Sequence, residues 1–321
     1  MVEYSMKWKL VMIWLVGSIV VQASDREKVF VTSSLDGTNQ PSYVIFPDEV
    51  PNQGKVPLLV SLHSWSSDVE QRNLLLEDEA NRLGWIYLFP HFRGPNIQKD
   101  ACGSEKAQQD ILDAVDWASK EYPVDRNRIY LTGVSGGGHM TMLMVGRYPD
   151  RWAAASAWVG ISDLAMWYQK HRQGEYGAMM RQVFGDGPEA SNEICQQYRK
   201  RSPVTWLHRS LKVPLDIAAG VHDGHQGSVP VRHSLDAFNI IARASGNEEI
   251  SEKEMDQISR VSGRLEKPRS SDCVKDASFG REIYLRRKAG RSRVTIFEGG
   301  HEGIASAAVS WLQRYKKSPE E

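Results

Sequence analysis

Arg128-Ile129-Tyr130-Leu131-Thr132-Gly133-Val134-Ser135-Gly136-Gly137-Gly138-His139 decides how this chain is read. The first five residues have the β-branched and aromatic content of a buried strand. Gly133-Val134-Ser135-Gly136-Gly137 is a G-x-S-x-G turn, and Met140-Thr141-Met142-Leu143-Met144-Val145 continues as a helix. A turn this sharp holds its serine in strained backbone, and its neighbours must lack side chains for the chain to pass. The Ser135 hydroxyl is lifted clear of the sheet, at a helix start whose free N–H groups favour a developing anion. The alternative is a glycine-rich turn that merely contains a serine. The strand before it and the helix after it favour a nucleophile.

Working outward, strands and helices alternate. Val56-Pro57-Leu58-Leu59-Val60-Ser61-Leu62 is a nearly all-apolar run, as in a strand covered on both faces. Trp85-Ile86-Tyr87-Leu88-Phe89 and Ala153-Ala154-Ala155-Ser156-Ala157-Trp158 read as further strands, as do Val213-Pro214-Leu215-Asp216-Ile217-Ala218-Ala219 and Arg293-Val294-Thr295-Ile296-Phe297. Helical periodicity is expected over 69–83, with Leu74, Leu75 and Ala80 inward, and over 105–120, 229–244 and 304–315. Val29-Phe30-Val31-Thr32 and Ser42-Tyr43-Val44-Ile45-Phe46 read as an antiparallel pair ahead of these. The alternation predicts an α/β fold with a mostly parallel central sheet and helices on both faces. Ligands on such sheets bind beyond the carboxyl ends of the strands.

Two segments break the pattern. Residues 160–212 are rich in Trp167, Tyr168, His171, Tyr176, Met179 and Met180, and are expected as a helical lid inserted over the sheet. Trp158, Trp167 and Tyr168 are candidate substrate-binding walls, although any one such aromatic more often packs than binds. Residues 245–280 are charged and are expected as a surface excursion.

The 321 residues carry 40 basic and 40 acidic side chains, a net charge of +0. That balance argues against a nucleic-acid partner. Lys7 and Lys9 precede the apolar run Leu10-Val11-Met12-Ile13-Trp14-Leu15-Val16, and Val21-Gln22-Ala23 offers the small residues a signal peptidase reads. Residues 1–23 are therefore expected to be a signal peptide, and 24–321 one secreted or periplasmic domain with no stable membrane association after cleavage. In an exported chain the odd count of Cys102, Cys195 and Cys273 suggests one disulfide, with Cys102–Cys195 preferred. No cysteine or histidine spacing suggests a metal site, and no cofactor is expected.

Serine needs a general base within hydrogen-bond reach, itself oriented by a third group. Asp223 and His301 each lie in a glycine-bracketed loop just past an expected strand. With Ser135 they follow the serine–acid–histidine order of α/β-hydrolases. His139, His222, His225 and His233 compete for the base; Asp163 and Asp216 compete for the acid. A tetrahedral oxyanion needs two aimed N–H donors: the amide of Gly136, and one from the loop after the Val56 strand, Ser64 or Trp65. His63 is expected to anchor that loop.

Leu62-His63-Ser64-Trp65, Gly133-Val134-Ser135-Gly136-Gly137-Gly138-His139, His222-Asp223-Gly224 and Gly300-His301 together resemble the catalytic domain of prolyl oligopeptidase-type serine hydrolases. The resemblance runs from the Val56 strand to the end, and implies an α/β-hydrolase fold with Ser135 as nucleophile, Asp223 as acid and His301 as base. It extends to small exported esterases and depolymerase-like enzymes. Only residues 24–55 separate the leader from the first core strand, so the propeller of prolyl oligopeptidases is not expected. The oxyanion stretch reads His-Ser where His-Gly is commoner. The function expected is hydrolysis of a carboxylic ester, on a small molecule or a polysaccharide. A serine peptidase and a non-catalytic binding protein on the same fold are the alternatives.

Overall fold

The computed structural model describes residues 26–48 and 54–318, and the expected leader lies outside them. Among these residues one sheet is built from β1 (Glu27–Thr32), β2 (Asn39–Ile45), β3 (Val56–Leu62), β4 (Ile86–Pro90), β5 (Val124–Val134), β6 (Ala154–Trp158), β7 (Leu215–Gly220), β8 (Ile283–Ala289) and β9 (Ser292–Phe297). The spatial order is β1-β2-β4-β3-β5-β6-β7-β9-β8. The six strands from β4 to β9 in that order run parallel. The β1–β2 hairpin pairs antiparallel on one side of them and β8 on the other.

Burial explains the apolar composition of the middle strands. Every residue of β3, β6 and β9 is buried, so both faces must be apolar. Successive side chains of β3 go to opposite faces: Leu58, Val60 and Leu62 join one core, and Leu59 joins the other. The first core also takes α2 (Glu105–Glu121), α3 (Gly136–Arg147) and α7 (Arg232–Ala244). The second takes α1 (Leu74–Arg82) and α9 (Ala305–Leu312). Helices on both faces of a parallel sheet put the carboxyl ends of β3, β5, β7 and β9 together at one edge of the layers.

The expected helix over 69–83 begins later and is turned. Asn73 caps α1 by accepting from the Leu76 amide, and residues 69–73 stay outside the helix. That start sets the phase so that Leu76 and Ala80, four apart, face inward. Leu74 and Leu75, expected inside, are 43% and 70% exposed.

Residues 160–212 hold α4 (Leu164–His171), α5 (Glu175–Phe184) and α6 (Asn192–Arg201) between β6 and β7. Leu164, Trp167, Tyr168, Met180, Val183, Phe184 and Tyr198 form a core of their own, with Trp65 and Cys102 from the body. Residues 245–280 are more than a surface excursion. They contain α8 (Glu252–Ile258), started by a Ser251–Glu254 capping box. Ile250, Met255, Ile258 and Phe279 enter the main core. The charges between them are stitched to the sheet by Arg286–Asp276 and Arg287–Glu254, each at 2.9 Å.

The expected Cys102–Cys195 disulfide is not formed; all three cysteines are free. Cys102 is packed inside the insertion's core, whereas Cys195 sits on a half-buried face of α6 and Cys273 is exposed. Burial pushes the Cys102 thiol up to about 12, which keeps it protonated.

Candidate active site

β5 runs straight into the turn that the glycines permit. Ser135 has φ +61° and ψ −117°, backbone that a residue with a side chain rarely adopts. Its amide donates to the Trp158 carbonyl at 2.9 Å, and α3 begins at the next residue. A Cβ on Gly133 would lie 2.4 Å from the Gly137 carbonyl carbon, and one on Gly136 would lie 2.5 Å from the Trp65 nitrogen. The glycines thus let β5 and α3 fold back on each other and let the loop after β3 press against the start of α3. The strain at Ser135 is held by these contacts.

Two further loops arrive at the same edge. Asp223 follows β7 and His301 follows β9. Asp223 is buried, and its Oδ2 accepts from His301 Nδ1 at 2.8 Å. Its other oxygen accepts from the amides of Gly224 and Val229 at 2.9 and 3.1 Å. Three donors therefore fix the carboxylate, and the bond to Nδ1 leaves His301 Nε2 as the free nitrogen. The His301 turn lies against the elbow: a Cβ on Gly303 would be 2.7 Å from Val134, the residue before Ser135. Gly227 was not singled out from the sequence, yet a Cβ there would sit 2.2 Å from Asp223 Oδ1 and 2.8 Å from His301 Cβ. The only signal for it was one more glycine in an already glycine-rich loop.

The oxyanion candidates separate on hydrogen bonding. The Ser64 amide already donates to Gln71 Oε1 at 2.9 Å. No hydrogen bond of the Trp65 amide is found among the described residues, and that amide faces Gly136. His63 anchors this loop as expected. Its ring nitrogens reach the carbonyls of Ser64 and His91 at 2.9 and 2.7 Å, and the ring stacks on Phe92 at 3.8 Å. Burial lowers its pKa to about 4.

The rival residues have other employment. Asp163 caps α4, accepting from the Ala165 and Met166 amides at 2.8 and 3.1 Å. Asp216 holds Arg293 through two bonds inside the sheet. His139 and His233 are fully buried, and burial lowers them to about 4 and about 3. His139 reaches the Arg201 carbonyl, His225 the Ser259 carbonyl and His222 the Glu298 carboxylate.

The three aromatics expected as substrate walls are closed off. Trp158, Trp167 and Tyr168 are 1%, 1% and 3% exposed. Trp158 belongs to the main core, its indole N–H donating to Ser156 Oγ at 2.9 Å. Tyr168 packs edge-on against Tyr198. Trp167 meets Trp65 edge-on at 4.6 Å and donates to the Ser228 carbonyl at 3.0 Å. His171 reaches the same carbonyl at 2.7 Å, and Lys170 donates to the Gly224 carbonyl at 2.8 Å. α4 is thereby tied to the loop that carries Asp223.

A mostly parallel sheet with helices on both faces, and a strained serine between its central strand and the following helix, define the α/β-hydrolase class. The profile of the prolyl oligopeptidase family matches residues 80–252, more than half of the chain, and the chain belongs to that family. It is 25% identical over 258 residues to feruloyl esterase B of Talaromyces funiculosus, covering 76% of this chain and 65% of that one. It is 27% identical over 201 residues to acetylxylan esterase A of Emericella nidulans, covering 60% and 59%. Among solved structures, an acylaminoacyl peptidase of Pyrococcus horikoshii superposes with a TM-score of 0.65 at 19% identity, covering 94% of this chain and 43% of that one. The chain thus spans less than two thirds of the length of each of these relatives.

Proposed function

We propose that the chain is an exported serine hydrolase of carboxylic esters. The reading rests on one arrangement above all: His301 Nδ1 bonded to a buried Asp223, beside a serine held at positive φ by its glycines. His301 Nε2 takes the Ser135 proton as the oxygen attacks the ester carbonyl. The amides of Gly136 and Trp65 receive the oxyanion, and the imidazolium returns its proton to the leaving alcohol. Water then repeats the sequence on the acyl-enzyme. None of these steps calls for a cofactor.

Residues 160–212 serve as a lid in this reading, on a single domain that starts after cleavage at Ala23. Among the described residues no helix is long and apolar enough to cross a membrane. Substrate class is supported by the names of two relatives, a feruloyl and an acetylxylan esterase, which favour an acyl or aromatic ester on a polysaccharide. A peptidase is the second reading, favoured by the family itself. Fluorophosphonate labelling of the mature protein, competed by feruloylated oligosaccharides, acetylated oligosaccharides and peptides, tests both. Labelling at Ser135 blocked by an ester is the expected result. Blocking by peptides alone makes the chain a peptidase, and no labelling leaves a binding protein. Recovery of exported protein with Ser24 at its N-terminus tests the leader.

A further inference from the structure

The loops that carry Asp223 and His301 are joined by a second contact that no step above uses. His222 Nε2 lies 2.7 Å from Glu298 Oε1, linking the residue before the acid to the turn before the histidine. A carboxylate only accepts, so His222 Nε2 carries the proton and donates. The backbone is paired at the same level, with the His222 amide donating to the Gly299 carbonyl at 3.0 Å. Glu298 is fixed from its other side as well. Its Oε2 accepts from Tyr284 Oη at 2.5 Å, and Arg264 stands 3.3 Å over the Tyr284 ring and 3.6 Å from Glu298 Oε2. The Tyr284 bond holds the Glu298 carboxyl below the usual carboxylate range, so it remains an acceptor through neutral pH.

Resting on the hydrolase reading above, we propose that His222 and Glu298 form a positioning strut that sets the spacing of Asp223 and His301. Neither side chain touches the reacting atoms; both act through the loops they join. The physical case is that the other contacts between the two loops among the described residues are backbone pairing, the packing of Gly227 against His301 and the Asp223–His301 bond itself. Tyr284 on β8 and Arg264 from the segment before it make Glu298 a fixed post. His222 transmits that post to the adjacent Asp223. A catalytic hydrogen bond loosened by a fraction of an ångström costs rate without costing substrate affinity.

The test compares H222A, H222Q, E298A and the double variant H222A/E298A in the full mature chain. Turnover of an aryl ester by H222A is expected to fall about tenfold with KM unchanged. H222Q, whose amide keeps a donor at the same place, recovers most of it. The double variant loses no more than either single alanine variant, because each removes the same strut. A separate readout needs no turnover: the proton resonance of His301 Nδ1–H against Asp223 should broaden through solvent exchange in H222A and stay sharp in H222Q. Unchanged turnover and an unchanged resonance in H222A would overturn the proposal, as would equal loss in H222A and H222Q. Absence of labelling and turnover in the wild type would sink the hydrolase reading instead, and the resonance would still decide the strut.

Discussion

The turn from Gly133 to Gly138 and the insertion of α4, α5 and α6 touch each other through Trp65, yet they use sequence in opposite ways. In the turn, identity is forced by backbone. A single methyl group at Gly133 would overlap Gly137, so only one residue type closes the loop. In the insertion, identity is forced by volume. Trp167, Tyr168, Phe184 and Tyr198 fill a core, and other apolar side chains of similar size would fill it too. The comparison teaches that steric prohibition is readable from one chain, whereas packing and binding place the same aromatic residues in the same segment. In the proposed reading the turn carries the chemistry, while the insertion's aromatics contribute packing.

The sharpest way to break that division is S135A, which removes the proposed nucleophile and leaves the turn intact. Turnover should fall by a factor on the order of a million, with the melting temperature unchanged. Ester hydrolysis surviving at wild-type rate would move the chemistry elsewhere in the molecule. D223N comes next, because it keeps the shape of the proposed acid and loses the charge of the carboxylate bonded to His301. A loss on the order of ten thousand in kcat is expected. If D223N is mild, the three donors around Asp223 describe a loop anchor rather than a catalytic acid.

Acid stability sharpens the same contrast from the side of packing. His139 and His233 are buried in the folded chain with pKa values lowered from 6.5 to about 4 and about 3, chiefly by burial. Folding depresses these values, so between the two limits the unfolded chain binds protons that the folded one refuses. Their full contribution is present above pH 6.5 and is lost as the pH falls toward 4. For His139 this amounts to roughly 3 kcal/mol. Urea titrations at pH 7.5 and 4.5 should show the loss, and H139N should flatten part of the slope. Equal stability at both pH values would mean that water or a counter-charge reaches these rings.

Much of the arrangement was readable from residue order alone. The parallel strands, the elbow and the loops bearing Asp223 and His301 all follow from apolar runs ending in glycine-bracketed polar residues. Leu74 and Leu75 were misplaced because a run of three leucines has no intrinsic phase; the cap at Asn73 sets it, and an asparagine before a helix is a weak signal. The burial of Ile250, Met255 and Ile258 is hidden in the sequence because Glu254 among them pairs with Arg287 on β8, 33 residues away. Ser64 and Trp65 are equal candidates by sequence, because the bond that occupies the Ser64 amide is accepted by the Gln71 side chain seven residues on in the same loop, and no motif marks that pairing. Long-range polar pairing is what a single sequence hides.

Asp163 supplies the finest cut between the two regions, because it sits where the insertion begins and was the rival for the acid. Its carboxylate accepts from two amides at the start of α4, which is the pattern of an N-cap. D163A should therefore lower stability by about 1 kcal/mol, the usual loss for a cap, and leave kcat within about twofold. D163N, which keeps an acceptor at the cap, should recover the stability. If Asp163 instead served as the triad acid, D163A and D163N would both lose turnover as steeply as D223N while melting normally. Thermal melts and kcat measured on the same preparations separate the outcomes, since a cap and a catalytic carboxylate fail in different columns of that experiment. α4 also carries Trp167, Lys170 and His171 to the carbonyls of Ser228 and Gly224. A small fall in kcat that tracks the loss of stability would thus mark the route by which the insertion reaches the Asp223 loop, and a fall without any loss of stability would place Asp163 in the chemistry.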